Sequence, residues 1–252
     1  MKYDNELVSI IMPSYNSRDS IQESIQSILE QTYENWELII VDDCSTDGTQ
    51  RLLQMLAMKE KRIQVFCEIE NGGAAVARNK ALLHAKGRYI AFLDSDDKWK
   101  QNKLAVQLTF MKEHQHAFTF TAYEYISAEG VPLGKTVCAP KMVSYQDMLK
   151  NTIVGCLTVV VDRKQTGPIK MPNIRTRQDL ATWLGILKKG YKAFGISEVL
   201  AEYRVGNLSI SGNKWRAAQK TWYVYRQVEK LNLLEATWCF SHYAFHAVRK
   251  RL

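Results

Sequence analysis

Cysteine is sparse in this chain of 252 residues: Cys44, Cys67, Cys138, Cys156 and Cys239 stand apart, with no C-x-x-C pair. Such spacing supports neither a disulfide frame nor a zinc site, and reads as reduced, mostly buried thiols of a cytosolic protein. No window holds about 18 uninterrupted apolar residues, so no membrane-spanning helix is expected. The polar opening, Met1 to Glu6, lacks the pattern of a signal peptide. Low-complexity tracts and internal repeats are missing as well. After the first apolar run the chain continues into "PSYNSRDS", without the glycine-rich, Lys- or Arg-bearing phosphate loop a nucleotidyltransferase would show there. No nucleic-acid-binding module is recognisable, which argues against a non-catalytic nucleic-acid binder. Acids run short only in the second part. Residues 163–252 carry 17 Lys/Arg against 5 Asp/Glu, whereas residues 1–162 carry 17 against 21. The formal charge of +8 is therefore concentrated C-terminally. That asymmetry implies an anionic partner, such as phosphate, nucleic acid or a lipid headgroup surface, or else a solvated basic face.

What is present is an alternation of strand and helix patterns. "LVSIIMP", "WELIIVD", "RIQVFCE" and "GRYIAFLD" read as strands, separated by helices such as "DSIQESIQSILEQ" with Ile21, Ile25, Ile28 and Leu29 on one face. Repeated β-α-β units predict a mostly parallel sheet with helices on both faces, and ligands gather at the carboxyl ends of such strands. After Tyr125 the alternation loosens. "SAEGVPLGK" reads as a hairpin or loop, "YQDMLKN" as a short helix, and "CLTVVVDR", "YKAFGIS" and "VLAEYRV" as three strands. "QDLATWLGILKKG" reads as a helix with Leu180, Trp183, Leu184 and Leu187 inward.

Three expected strand ends carry polar clusters. "AFLDSDDKWK" packs Asp94, Asp96 and Asp97 together, tolerable around a divalent cation, and oxygen-only ligands favour Mg²⁺ or Mn²⁺. Solvated acids in a turn are the plainer alternative. Asp42 and Asp43 end the second strand, where a carboxylate can accept from a base N–H or a ribose hydroxyl, or else shape a turn and helix cap. "NGGAAVARN" sets Gly72 and Gly73 before a helix carrying Arg78, suited to phosphate approach or simply a loop–helix junction.

Together, "PSYN", "VDDCSTDGT", "NGGAAVARN", "LDSDDKW" and "TRQDLATWL" resemble, in order and spacing, the inverting family 2 glycosyltransferases of the GT-A fold. The resemblance covers roughly residues 7–205. The whole chain is most similar to bacterial enzymes of cell-wall and surface-polysaccharide assembly, of teichuronic-acid or capsule type. It implies a nucleoside-diphosphate-sugar donor, UDP above all, a glycan or polyprenyl-diphosphate-linked acceptor, and Mn²⁺ or Mg²⁺ as cofactor. By position, Pro13 and Tyr15 would line the nucleotide pocket, Asp43 would bind the uracil edge, and Asp42 would support the turn. Gly73 and Arg78 would border ribose and diphosphate, Asp94 and Ser95 would lie against the nucleotide sugar, and Asp96 would ligate the metal. Asp179 would be the general base, with Gln178 and Trp183 on the acceptor side; a helix cap ahead of Leu180 is the structural alternative for Asp179. Two departures stand out: Gln178 replaces the family's usual acid, and Val205 and Gly206 follow the late "YR" where a His is common.

The resemblance implies a GT-A domain over 1–212, with a nucleotide half (1–97) and an acceptor half (98–212). A basic aromatic helical extension follows over 213–252. Its Trp, Tyr and Phe mixed with Lys and Arg suit either an interfacial membrane helix or packing on the catalytic domain or a partner. The expected location is cytoplasmic, at the inner face of the plasma membrane if the extension meets lipid.

Overall fold

The structure, a computed structural model, describes residues 3–205 and 214–249. Its first half runs β1 (Asp4–Ser14), α1 (Ile21–Leu29), β2 (Trp36–Asp42), α2 (Thr49–Lys59), β3 (Ile63–Cys67), α3 (Ala74–His84) and β4 (Gly87–Phe92). The short β5 (Lys98–Trp99), α4 (Lys103–His114) and β6 (Phe118–Ile126) follow. Next come β7 (Pro132–Val137), β8 (Met142–Val143), α5 (Tyr145–Lys150), β9 (Val160–Asp162), α6 (Arg163–Thr166), α7 (Gln178–Leu187) and β10 (Ala193–Arg204). Two helices close the described chain, α8 (Lys214–Tyr223) and α9 (Leu233–Arg249), joined through a π-helical turn at Val224–Val228.

One sheet holds the molecule together, with main order β3-β2-β1-β4-β9-β6-β10-β5. The block β3-β2-β1-β4 is wholly parallel, β9 runs antiparallel between β4 and β6, and β10 lies parallel to β6. The carboxyl ends of β1, β2, β4, β6 and β10 therefore share one edge. Every residue of β2 is buried, because strands flank it and helices cover both faces. On one face, Ile21, Ile25 and Ile28 of α1 join Leu104, Leu108 and Met111 of α4; on the other, Ala77 and Ala81 of α3 join Trp183 and Leu184 of α7. The ring of Trp183 meets Phe92 edge-on at 5.4 Å and Phe118 at 5.3 Å.

Three local expectations change. The two strands read around Gly195 are one strand, β10, whose pairing with β6 shifts register between Ile196 and Val199 and again before Ala201. Bulges let a strand bend without ending, so a dip in apolar pattern there is not a boundary. In "CLTVVVDR" only Val160–Asp162 is strand, since Cys156–Thr158 turns as a 3₁₀ helix. All five thiols are free, but only Cys156 and Cys239 are buried. Of the placements left open for the C-terminal helices, packing on the catalytic domain is seen: Val224, Tyr225, Ala236 and Cys239 are buried in the same cluster as α7. Lys188 Nζ and the Tyr145 hydroxyl both reach the Glu229 carboxylate, at 3.1 and 2.7 Å. The boundary expected at 212/213 and the departure at Gly206 lie outside the described residues.

Candidate active site

Register alone brings the first two motifs together, because Ser14 pairs with Asp42 as β1 and β2 end. Asp42, fully buried, accepts from Ser45 N and Oγ, Gln50 Nε2 and Ser14 Oγ, so it is the knot of its turn. Asn16 and Arg18, beyond β1, bond to Ser45, Thr46 and Asp47 and lace the two loops into one rim. Pro13 is buried beneath that rim, while Tyr15 stands on it, 52 % exposed.

Asp43 is buried, and its two carboxylate oxygens accept the backbone N–H groups of Gly72 and Gly73 at 2.8 and 2.7 Å. This carboxylate fixes the glycine loop, leaving each oxygen a second lone pair toward a ligand. Gly73 has φ +87°, a backbone state that L side chains rarely adopt, and nothing lies within 4 Å of where a Cβ would point. The loop therefore presents bare backbone to open space at the start of α3, a polarity suited to anions.

The acids after β4 divide their roles. Asp94, partly exposed, ion-pairs with Arg78, whose side chain is buried against α3's own face of the sheet. Burial works against the Arg78 charge, yet Asp94, with Asp179 further off, holds the guanidinium above its ordinary range. Asp96 is pushed up to about 6, by burial first and then by the Asp94 charge. Asp97 turns inward, 1 % exposed, and accepts Arg204 N at 2.9 Å. Burial and the neighbouring Asp96 and Asp94 charges raise its carboxyl well above the usual range. Ser95 contributes its carbonyl to Ser20 Oγ at 3.0 Å, tying this turn to α1.

Across the edge stands α7. Its N-cap position is Arg177, with φ +65° and no side-chain cap, so Asp179 lies inside the first turn and is not the capping residue. The Asp179 charge acts on both Arg78 and Cys156, which places it electrostatically in one cluster with Asp94. Cys156 is no rival nucleophile, because burial pushes its thiol well up and keeps it neutral. Among the described residues, Gln178 Oε1 and Arg78 Nε are buried without a partner. Such atoms are costly to leave unpaired, and a bound water or ligand group would satisfy them. Trp183, expected on the acceptor side, is wholly buried and offers no surface to a substrate.

Two residues not singled out in the sequence carry buried charge, and the first of them organises this edge. Arg204 ends β10 with Nε on the Asp96 carbonyl at 2.7 Å, Nη1 on the Ala128 carbonyl at 2.5 Å and Nη2 on Glu23 at 2.7 Å. Lys103 is entirely buried, donating to Gln107 Oε1 at 2.6 Å and lying 4.1 Å from the centre of the Trp99 ring. The late "YR" carried the signal for Arg204; nothing in the local pattern distinguishes Lys103 from an exposed helix lysine.

Comparison with known proteins agrees with this architecture. The family described as Glycosyl transferase family 2 matches residues 9–162. TuaG of Bacillus subtilis (strain 168), named for a glycosyltransferase role in teichuronic acid biosynthesis, is 61 % identical over 246 residues, covering 98 % of both chains. The Escherichia coli UDP-Glc:alpha-D-GlcNAc-diphosphoundecaprenol beta-1,3-glucosyltransferase WfgD is 43 % identical, over 87 % of this chain and 85 % of its own. Among solved structures, S. aureus TarS 1-349 in complex with UDP-GlcNAc aligns with TM-score 0.70 at 20 % identity, covering 97 % of this chain and 72 % of that one. The Pyrobaculum calidifontis mannosyltransferase PcManGT, in complex with GDP-Man and Mn²⁺, aligns with TM-score 0.70 at 21 % identity, over 93 % and 72 %.

Proposed function

The chain belongs to glycosyl transferase family 2, and from that premise we propose that it moves a sugar from a UDP-sugar to a lipid-diphosphate-linked glycan, with inversion, during synthesis of a cell-surface polysaccharide. The observation that carries this reading is a bare-backbone glycine loop beside the Arg78–Asp94 ion pair, with the Asp179 charge acting on the same guanidinium. Relatives named for UDP-Glc donors and a diphosphoundecaprenol acceptor, at 43 % identity, support the substrate classes. The active chain then works in the cytoplasm, at the inner face of the membrane that holds such an acceptor. Residues 1–97 form its nucleotide half and 98–212 its acceptor half.

Tyr15, Pro13 and the Asp43-held loop border the nucleotide, and Gly73 and Arg78 border the diphosphate. Asp94 and Ser95 lie against the nucleotide sugar, with Gln178 on the acceptor side. Among the described residues no group of three His, Cys, Asp or Glu forms a self-sufficient metal site. The oxygen donors instead fit Mn²⁺ or Mg²⁺, which Asp96 would hold together with the substrate's own oxygens. Its raised carboxyl, crowded by Asp94, is a group that gains from a nearby cation. When bound, such an ion offsets charge on the departing diphosphate.

Asp179 removes the proton from the acceptor hydroxyl while that oxygen bonds to the anomeric carbon. The bond from that carbon to the diphosphate oxygen breaks, and its electron pair leaves with UDP. Arg78, fixed by Asp94, stabilises the developing negative charge. With Asp179 acting as base and not as nucleophile, this is a direct displacement, and the anomeric configuration inverts.

Purified chain, a UDP-sugar panel with Mn²⁺ and a sugar-diphosphate-lipid analogue test this, with product configuration read by NMR. Inversion is expected, and Asp179→Asn should lower kcat by about 10²–10⁴ while leaving donor affinity and Tm near wild type. Retention of configuration, or near-normal turnover by the folded variant, would overturn the mechanism.

A further inference from the structure

The aromatic, basic composition of residues 215–252 leaves lipid contact and protein packing both open, and the structure divides α9 between them by face. Inward, Ala236 and Cys239 are buried, and the Phe240 ring meets Trp222 edge-on at 5.5 Å. The Tyr243 hydroxyl, on the same side, accepts from Arg177 Nη2 at 3.1 Å. Outward, Leu234, Trp238 and Phe245 are 83 %, 60 % and 62 % exposed. At about 100° per residue they fall within roughly 40° of arc, and at about 1.5 Å per residue they span roughly 16 Å. They form a narrow apolar strip opposite the side on which Ala236, Cys239, Phe240 and Tyr243 pack. Large apolar side chains aligned in this way mark a surface that is covered in the working protein.

We propose that an anionic lipid bilayer surface covers it. Trp at headgroup depth, with Leu and Phe in line beside it, is the side-chain set of a helix lying in the interface. Charge selects the anionic bilayer: Glu235 is the only acid of α9, an exposed Lys230 precedes the helix, Arg249 is its last residue, and Lys250 and Arg251 come next in the sequence. Each cation near an anionic surface adds to adhesion. Docking also orients the enzyme. Tyr243 holds Arg177, the residue before Gln178 and Asp179, so the seated helix backs directly onto the turn that carries the base. That consequence rests on the function proposed above; the docking does not.

Flotation of the full chain with phosphatidylcholine vesicles, alone or mixed with phosphatidylglycerol, tests the proposal. Wild type should float with phosphatidylglycerol, less so at high salt, and remain soluble with phosphatidylcholine alone. The exposed triple variant Leu234→Glu, Trp238→Glu, Phe245→Glu should lose about tenfold or more in partition, with unchanged circular dichroism. Brominated lipid should also quench wild-type tryptophan fluorescence, a reading that needs no substitution. Absence of both flotation and quenching, or equal flotation by the folded variant, overturns docking. A wild-type dimer in sedimentation that the triple variant dissociates would assign the strip to a second copy and equally overturn it. UDP binding in solution, measured separately, tests the catalytic reading without touching this result.

Discussion

Lys103 is an ammonium group placed wholly inside the domain, with an amide oxygen and an indole face as its neighbours. Burial pushes its pKa well below the ordinary lysine value. Below an unfolded value of about 10.4 the unfolded chain binds this proton more tightly than the folded one does, so stability rises with pH until that value is passed. Lys103→Met removes the dependence. Its unfolding free energy relative to wild type should therefore decline as pH is raised from about 7 toward 10, by at most about 1.4 kcal/mol per unit. Urea unfolding across that range measures the trend, and a flat difference would mean the folded lysine titrates normally. At the same scale, Arg78 and Asp43 show how buried charge is made tolerable: one is matched by a carboxylate, the other by two backbone amides.

At the scale of elements, the acidic turn after β4 is held in shape from the far end of the chain. Arg204, the last residue of β10, spans that turn, the residues between β6 and β7, and Glu23 of α1 with a single guanidinium. Its planar fork serves three acceptors at once, which an ammonium group cannot copy. Arg204→Ala should destabilise the fold by about 1–3 kcal/mol, the cost of leaving buried acceptors unpaired. Arg204→Lys should recover little of it. Both should weaken Mn²⁺-assisted UDP binding in calorimetry, because Asp96 loses the bond on its carbonyl. Unchanged binding by a destabilised Arg204→Ala would show that the turn keeps its shape without the clamp.

For the whole molecule, the C-terminal helices are structural partners of the catalytic domain as well as a candidate docking surface. Tyr225 donates its hydroxyl to the Leu149 carbonyl on α5, and Ala236 and Cys239 fill the core beside α7. Truncation before Lys214 would expose that face to water. The truncated chain should lose cooperative thermal unfolding or aggregate, visible by calorimetry, whereas the triple Glu variant of the outward strip should melt near wild type. A truncated chain melting at the wild-type temperature would contradict the shared core.

The local sequence determined the alternating strands and helices, the polar strand ends and the inward faces of α1 and α7, because these follow from apolar periodicity and turn-forming residues. It also marked Asp94, Asp96 and Asp179 as residues of interest through their setting in motifs. Tertiary structure alone decided which acids face a ligand: Asp97 turns inward to the Arg204 amide, Asp43 spends one lone pair of each oxygen on the glycine loop, and Trp183 goes to the core. It likewise made β10 one strand and divided the aromatics of α9 between core and surface. These outcomes depend on contacts between residues far apart in the chain, such as Arg204 with Asp97 and Tyr243 with Arg177, and no local pattern encodes such a contact.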